Sequence, residues 1–156
     1  MMKYIVALCS LILMSVPTVA QGEYTYETEC LGSEMDGSIT VKAWGVGRNY
    51  IDGLEQAKKV AVRDVIFKGI QNGKSDCNRT PLVLDPHAQQ TNEDYFFTLL
   101  ADNGEYLKFV SAKDEKISHK TKRNKEKTSD SVKVSAIVRV DRAGLKKKLI
   151  QDGIIK

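Results

Sequence analysis

This chain of 156 residues is short of imidazole, of aromatic rings and of charge of one sign, and each shortage excludes something. Two histidines, His87 and His119, are its whole supply of imidazole bases. A hydrolase of the nucleophile–base–orienter type would have to use one of them. His119 sits among lysines, and His87 follows Asp85 and Pro86 in an irregular stretch, where Asp85 could at best orient it. Carboxylate pairs such as Asp114 and Glu115 fall in polar contexts with no apolar pocket to raise a pKa. No catalytic constellation emerges, and a non-enzymatic protein with no cofactor is expected. A formal net charge of +4 is too small for a histone-like polycation. Cysteine is scarce as well: three residues, none in a CxxC spacing and none set with a histidine in a ligand pattern, so no metal site is expected.

There is one long apolar run, and it lies at the start. Lys3 gives a positive beginning, Tyr4 to Val16 is almost unbroken apolar sequence, and Pro17 to Ala20 ends in a small residue. This is the pattern of a secretory signal peptide, with cleavage expected after Ala20. The run falls short of the roughly 20 residues that a spanning helix needs. A lipoprotein signal fits poorly, because Cys9 comes early in the run and follows the bulky Leu8. The expected organisation is a removed signal, 1–20, and a single soluble α+β domain, 21–156. The expected address is the periplasm or the outer membrane, with secretion left open.

Removal of the signal takes Cys9 with it and leaves Cys30 and Cys77. In an oxidising compartment two cysteines most simply form one disulfide. Closing a loop of about 47 residues would stabilise an unstrained fold by at most ~4 kcal/mol. Two free thiols or an intermolecular bridge are the alternatives.

Along the chain, Tyr24, Tyr26 and Thr28 alternate with glutamates, as in an edge strand. Ile39 to Trp44 reads as a strand with Ile39, Val41 and Ala43 on one face and Thr40, Lys42 and Trp44 on the other. Gly45 and Gly47 suggest a sharp strand-to-helix turn. Asn49 or Asp52 can cap the following helix, which should run to about Gln71 and stop at Asn72-Gly73. Within it Gly53, Ala57, Ala61, Val65 and Gly69 recur every fourth residue, a packing stripe, while Glu55, Lys59 and Arg63 mark a solvated face.

The long connection 72–90 needs tying down, which a Cys30–Cys77 bond would do. Thr91 and Asp94 suggest a capping arrangement for a short helix carrying Tyr95, Phe96, Leu99 and Leu100. Two strands follow, about Tyr106–His119 and Ser131–Val140, as a long antiparallel hairpin. A last helix, capped by Asp141, should turn Leu145, Leu149 and Ile150 inward and end at Gly153, with Ile154 and Ile155 folded back. The order strand, helix, short helix, strand, strand, helix gives an α+β fold, a small mostly antiparallel sheet with helices on one face.

Gly45-x-Gly47 is not a dinucleotide fingerprint, since the third glycine would fall at Tyr50 and no βαβ series follows. The segment 113–127 is markedly basic: Lys113, Lys116, Lys120, Lys122, Arg123, Lys125 and Lys127 outnumber Asp114, Glu115 and Glu126. Such a hairpin tip is either solvated or engages an anionic polymer or lipid surface. It lacks aromatic interleaving, so nucleic acid is not expected. Trp44 is either covered by a second layer, such as the N-terminal segment, or presented to a partner.

A strand ending in Gly45 and Gly47, followed by a helix with Gly53, Ala57 and Ala61 at spacing four, resembles a module of bacterial envelope proteins. Its examples are the N-terminal domain of the flagellar T-ring protein FlgT and related small envelope lipoproteins. The motif spans residues 38 to 71, and the later strand–strand–helix portion, ending near Ile155, is similar in order. The resemblance implies an exported, non-enzymatic module that assembles with other envelope components. Its matching positions are structural, so no site residue comes with it.

Overall fold

The computed structural model describes residues 27–112, 125–127 and 131–156. Its centre is a pair of strands, β2 (Ile39–Gly47) and β6 (Val132–Val140), antiparallel in unbroken register from Ile39 opposite Val140 to Gly47 opposite Val132. Alternation buries Ile39, Val41 and Ala43 with Val132, Val134, Ala136, Val138 and Val140. β1 (Glu29–Ser33) pairs antiparallel with β2 through a bulge between Cys30 and Gly32. The two-residue β3 (Asn72–Gly73) adds parallel to β1. On the other side of β6 lie β4 (Val110–Ala112) and β5 (Lys125–Lys127), both antiparallel to it. The result is the expected α+β fold, with a six-stranded sheet in the order β3-β1-β2-β6-β4 and β5 also on β6.

Helix α1 (Tyr50–Arg63) crosses the buried face of β2 and β6. Asn49 caps it, accepting from the Asp52 amide at 3.0 Å. Asp52 has a different partner, the Arg48 amide at 2.9 Å. The small-residue stripe does what its spacing implies: Gly53, Ala57 and Ala61 are buried against the sheet. The glycines before it act differently from a turn. β2 continues through Gly47, and a Cβ on Gly45 would overlap the Gly53 carbonyl and the Ala57 nitrogen. On Gly47 it would overlap the Gly53 nitrogen. Both are glycines because helix backbone lies directly on strand backbone.

The helix ends earlier than its sequence suggests. A π-helical turn, Asp64–Lys68, follows α1 and closes at Gly69, whose φ of +69° makes it the stop; Asn72 and Gly73 are strand instead. The wider turn tucks Asp64 inside, where it accepts the Thr28 hydroxyl at 2.5 Å. The Val65 and Ile66 carbonyls take the amides of Leu82 and Val83 at 3.2 and 2.9 Å. That connection is also tied down as expected: Cys30 and Cys77 form a disulfide across 47 positions, and both are buried.

A turn of helix, α2 (Ala88–Thr91), precedes α3 (Glu93–Leu99). Thr91 does not cap α3, because its hydroxyl bonds back to the His87 carbonyl at 3.1 Å. Phe96 and Leu99 are buried and Tyr95 and Leu100 partly so. The expected strand at Tyr106 is a 3-10 turn, Glu105–Phe109, which buries Tyr106; the strand starts at Val110. Glu55 and Lys59, expected on a solvated face, also meet this region, while Arg63 stays exposed. Glu55 accepts the Tyr106 hydroxyl at 3.3 Å, and Lys59 pairs with Asp102 and stands 5.9 Å from the Tyr106 ring. Helix α4 (Arg142–Gln151) is capped by Asp141, which accepts from the Gly144 amide at 2.8 Å. Leu145 and Leu149 are buried, whereas Ile150 lies outward, 46% exposed. Gly153, at φ +73°, turns the chain so that Ile154 and Ile155 pack back on the core. Among the described residues no helix is long and apolar enough to cross a membrane.

Candidate functional site

The sheet has a second face, opposite α1. The same period of two that sends Val41 and Ala43 inward sends Lys42, Trp44 and Val46 the other way, beside Ile137, Ser135 and Lys133 of β6. Val46 and Ile137 are 52% and 40% exposed, Trp44 is half-buried, and Thr40 and Ser135 on the same face are buried. The Lys42 ammonium stands 5.2 Å from the Trp44 ring centre, a cation–π arrangement. Trp44 thus lies on the face its position implies. At one end of this face Arg139 is held by the Ser38 hydroxyl at 2.7 Å and by Asp36 at 3.1 Å. Hydrogen bonds from the Ser38 hydroxyl and amide, with the Arg139 charge, keep the Asp36 carboxyl below its ordinary pKa. The arrangement is a cationic and apolar sheet surface with no buried acid–base pair.

Of the basic candidates, Lys120, Lys122 and Arg123 lie outside the described residues. Lys125 and Lys127 fall on β5, opposite Val134 and Val132 of β6, so the end of the basic segment runs along the sheet edge. Charged residues on an edge strand also discourage unwanted strand pairing.

His87 is exposed, and Asp85 accepts its backbone amide at 2.9 Å, not its imidazole. His119, Asp114 and Glu115 lie outside the described residues. Among the described residues no group of three or more histidine, cysteine or acidic side chains could hold a metal ion.

A surface missed in the sequence joins α4 to the loop after Cys77. Arg142 and Lys146 share one side of α4 and line a groove of about 550 Å3 with Pro81, Leu82, Val83 and Leu84. Arg142 donates to the Thr80 carbonyl at 2.9 Å, and burial lowers its pKa. The signal available was the i, i+4 spacing of the two cations and the apolar run Pro81–Leu84, which lie 60 residues apart and meet through the fold alone. Neighbouring α4 residues do something else. Lys148 bridges Asp152 at 2.8 Å and Glu105 at 2.9 Å, and the Tyr95 hydroxyl donates to Asp152 at 2.5 Å. This network clamps α3, the 3-10 turn and α4 together.

No protein-family model, curated protein or solved structure matches this chain.

Proposed function

We propose that this chain is an exported, non-enzymatic interaction protein of the bacterial cell envelope, which docks to an envelope assembly through the Trp44 face of its sheet and the basic segment 113–127. The signal-like start and the resemblance of residues 38–71 to envelope modules support the address. The observation that carries the docking role is the two-sided sheet. Helices cover one face, while the other offers Val46, Trp44 and Ile137 among Lys42 and Lys133. Tryptophan is among the residues that most often anchor protein interfaces. The disulfide suits an oxidising compartment. Charge reversal at Lys122, Arg123 and Lys125 should weaken co-purification with the envelope partner and leave the circular dichroism spectrum unchanged. Unchanged co-purification would remove the basic segment from the interface.

A second reading is a module that binds an anionic envelope polymer or lipid surface through the same segment. The excess of lysine and arginine over acid between 113 and 127 favours it. It requires binding that falls steeply with salt and no unique protein partner. Binding that persists in high salt contradicts it.

A further inference from the structure

We propose that the groove between the loop 80–84 and α4 binds an extended segment of a partner protein in which acidic and apolar residues alternate. Its lining joins two chemistries. Arg142, Lys146 and Lys156 supply three cations, and Pro81, Leu84, Ile154 and Ile155 supply accessible apolar surface over the buried Leu82 and Val83. Among the described residues no carboxylate stands within ion-pair distance of these cations, and the Arg142 guanidinium meets a carbonyl instead. Asp85, the one acidic side chain in the lining, accepts the His87 amide, so the lining holds three cationic side chains to one acidic one. Leu84 stands at the rim with 74% of its surface exposed. The groove is therefore complementary to something both anionic and apolar.

Spacing chooses between an acyl carboxylate and a peptide. Arg142 and Lys146 are one helical turn apart, about 6 Å along α4. Carboxylates on alternate residues of an extended chain are about 6.7 Å apart and share one side, while the residues between them face the other way. One edge of such a segment meets both cations, and the opposite edge meets Pro81 and the exposed Leu84. A single acyl carboxylate would satisfy one cation and leave its neighbour uncompensated. The groove is also held in shape before binding, by the Leu82 and Val83 amides on the end of the π-helical turn and by the disulfide at Cys77. Preorganisation of this kind lowers the ordering cost of association.

The proposal shares with the envelope reading the idea of a protein partner, but it uses neither export nor the basic segment, so either can fail alone. The test is fluorescence anisotropy on the purified, oxidised full chain with a labelled hexapeptide alternating glutamate and leucine. Its counterpart alternating lysine and leucine serves as control, and dodecanoate as competitor. Saturable binding of the acidic peptide alone is expected. Lys146→Glu and Leu84→Asp, both at exposed positions, should each weaken it about tenfold or more. Lys147→Glu makes the same charge change outside the groove lining and should leave affinity within about twofold. No binding of the acidic peptide, equal binding of the basic one, or an equal loss in Lys147→Glu would overturn the proposal. So would dodecanoate binding that Lys146→Glu abolishes while the acidic peptide does not bind, which would make the groove an acyl-carboxylate site.

Discussion

At Gly45 the α1 backbone rests on the β2 backbone, and one methyl group is enough to force them apart. Gly45→Ala should lower stability by about 1–3 kcal/mol, since neither main chain can move without breaking its own hydrogen bonds. Gly32→Ala is the matching control. It lies in β1 with nothing within 4 Å of an added Cβ, so it should fall within about 0.5 kcal/mol of wild type. Urea unfolding midpoints of the two variants check the pair. Thr28 tests a second close contact: Thr28→Val removes the one hydrogen bond that the buried Asp64 carboxylate accepts among the described residues and should cost about 1–3 kcal/mol in the same assay. The two kinds of position were not equally legible. Gly45 and Gly47 stand out in the sequence but read as a turn, because glycine is a poor strand former and its role here depends on a helix above it. Asp64 reads as one more polar helix residue. Its burial follows from a π-helical turn, whose i to i+5 bonding leaves no signature in hydrophobic period.

Among the elements, the sheet core and α1 were the most legible. Ile39–Ala43 and Val132–Val140 repeat with period two, and Gly53–Ala61 with period four, over lengths that leave little ambiguity. Tyr106–Phe109 reads as strand in sequence because its two aromatic residues suit a pleated surface, yet they fit a short 3-10 turn equally well. The cystine was legible from count and compartment, and its test belongs at this scale. Cys30→Ala with Cys77→Ala should destabilise the fold by up to ~4 kcal/mol and release the connection 74–87 to proteolysis. Equal stability and equal protease resistance would show that other contacts hold that loop. The clamp between α3, the 3-10 turn and α4 makes a pH prediction. Bonds from Lys148 and Tyr95 hold Asp152, and bonds from Lys108 and Lys148 hold Glu105, below their ordinary pKa values of 3.8 and 4.5. Their contribution is thus present above those values and is lost as pH falls through the lower folded ones. Lys148 and Tyr95 are both shifted upward, so the alkaline loss begins above about pH 10. Asp152→Asn should lower the melting temperature at pH 7. The gap to wild type should close in strong acid, and a gap constant with pH would remove the ionised clamp from the account.

For the molecule as a whole, the two surfaces with interface character differ in how they arise. The Trp44 face follows from strand alternation and was visible in advance. The groove beside α4 joins residues from distant parts of the chain and became visible with the fold. Exposed positions on each, Val46 and Ile137 on the face and Leu84 and Lys146 at the groove, can be changed without opening the core, so they separate association from stability. The proposed export and docking to an envelope assembly are tested most directly by crosslinking in intact cells, with mass spectrometry of the envelope fraction. The expected result is one dominant protein partner crosslinked to a chain that begins near Gln21, and loss of that crosslink when Lys122, Arg123 and Lys125 are reversed in charge. A chain retained in the cytoplasm with its first twenty residues intact, or an exported chain that crosslinks to no envelope protein, would contradict it.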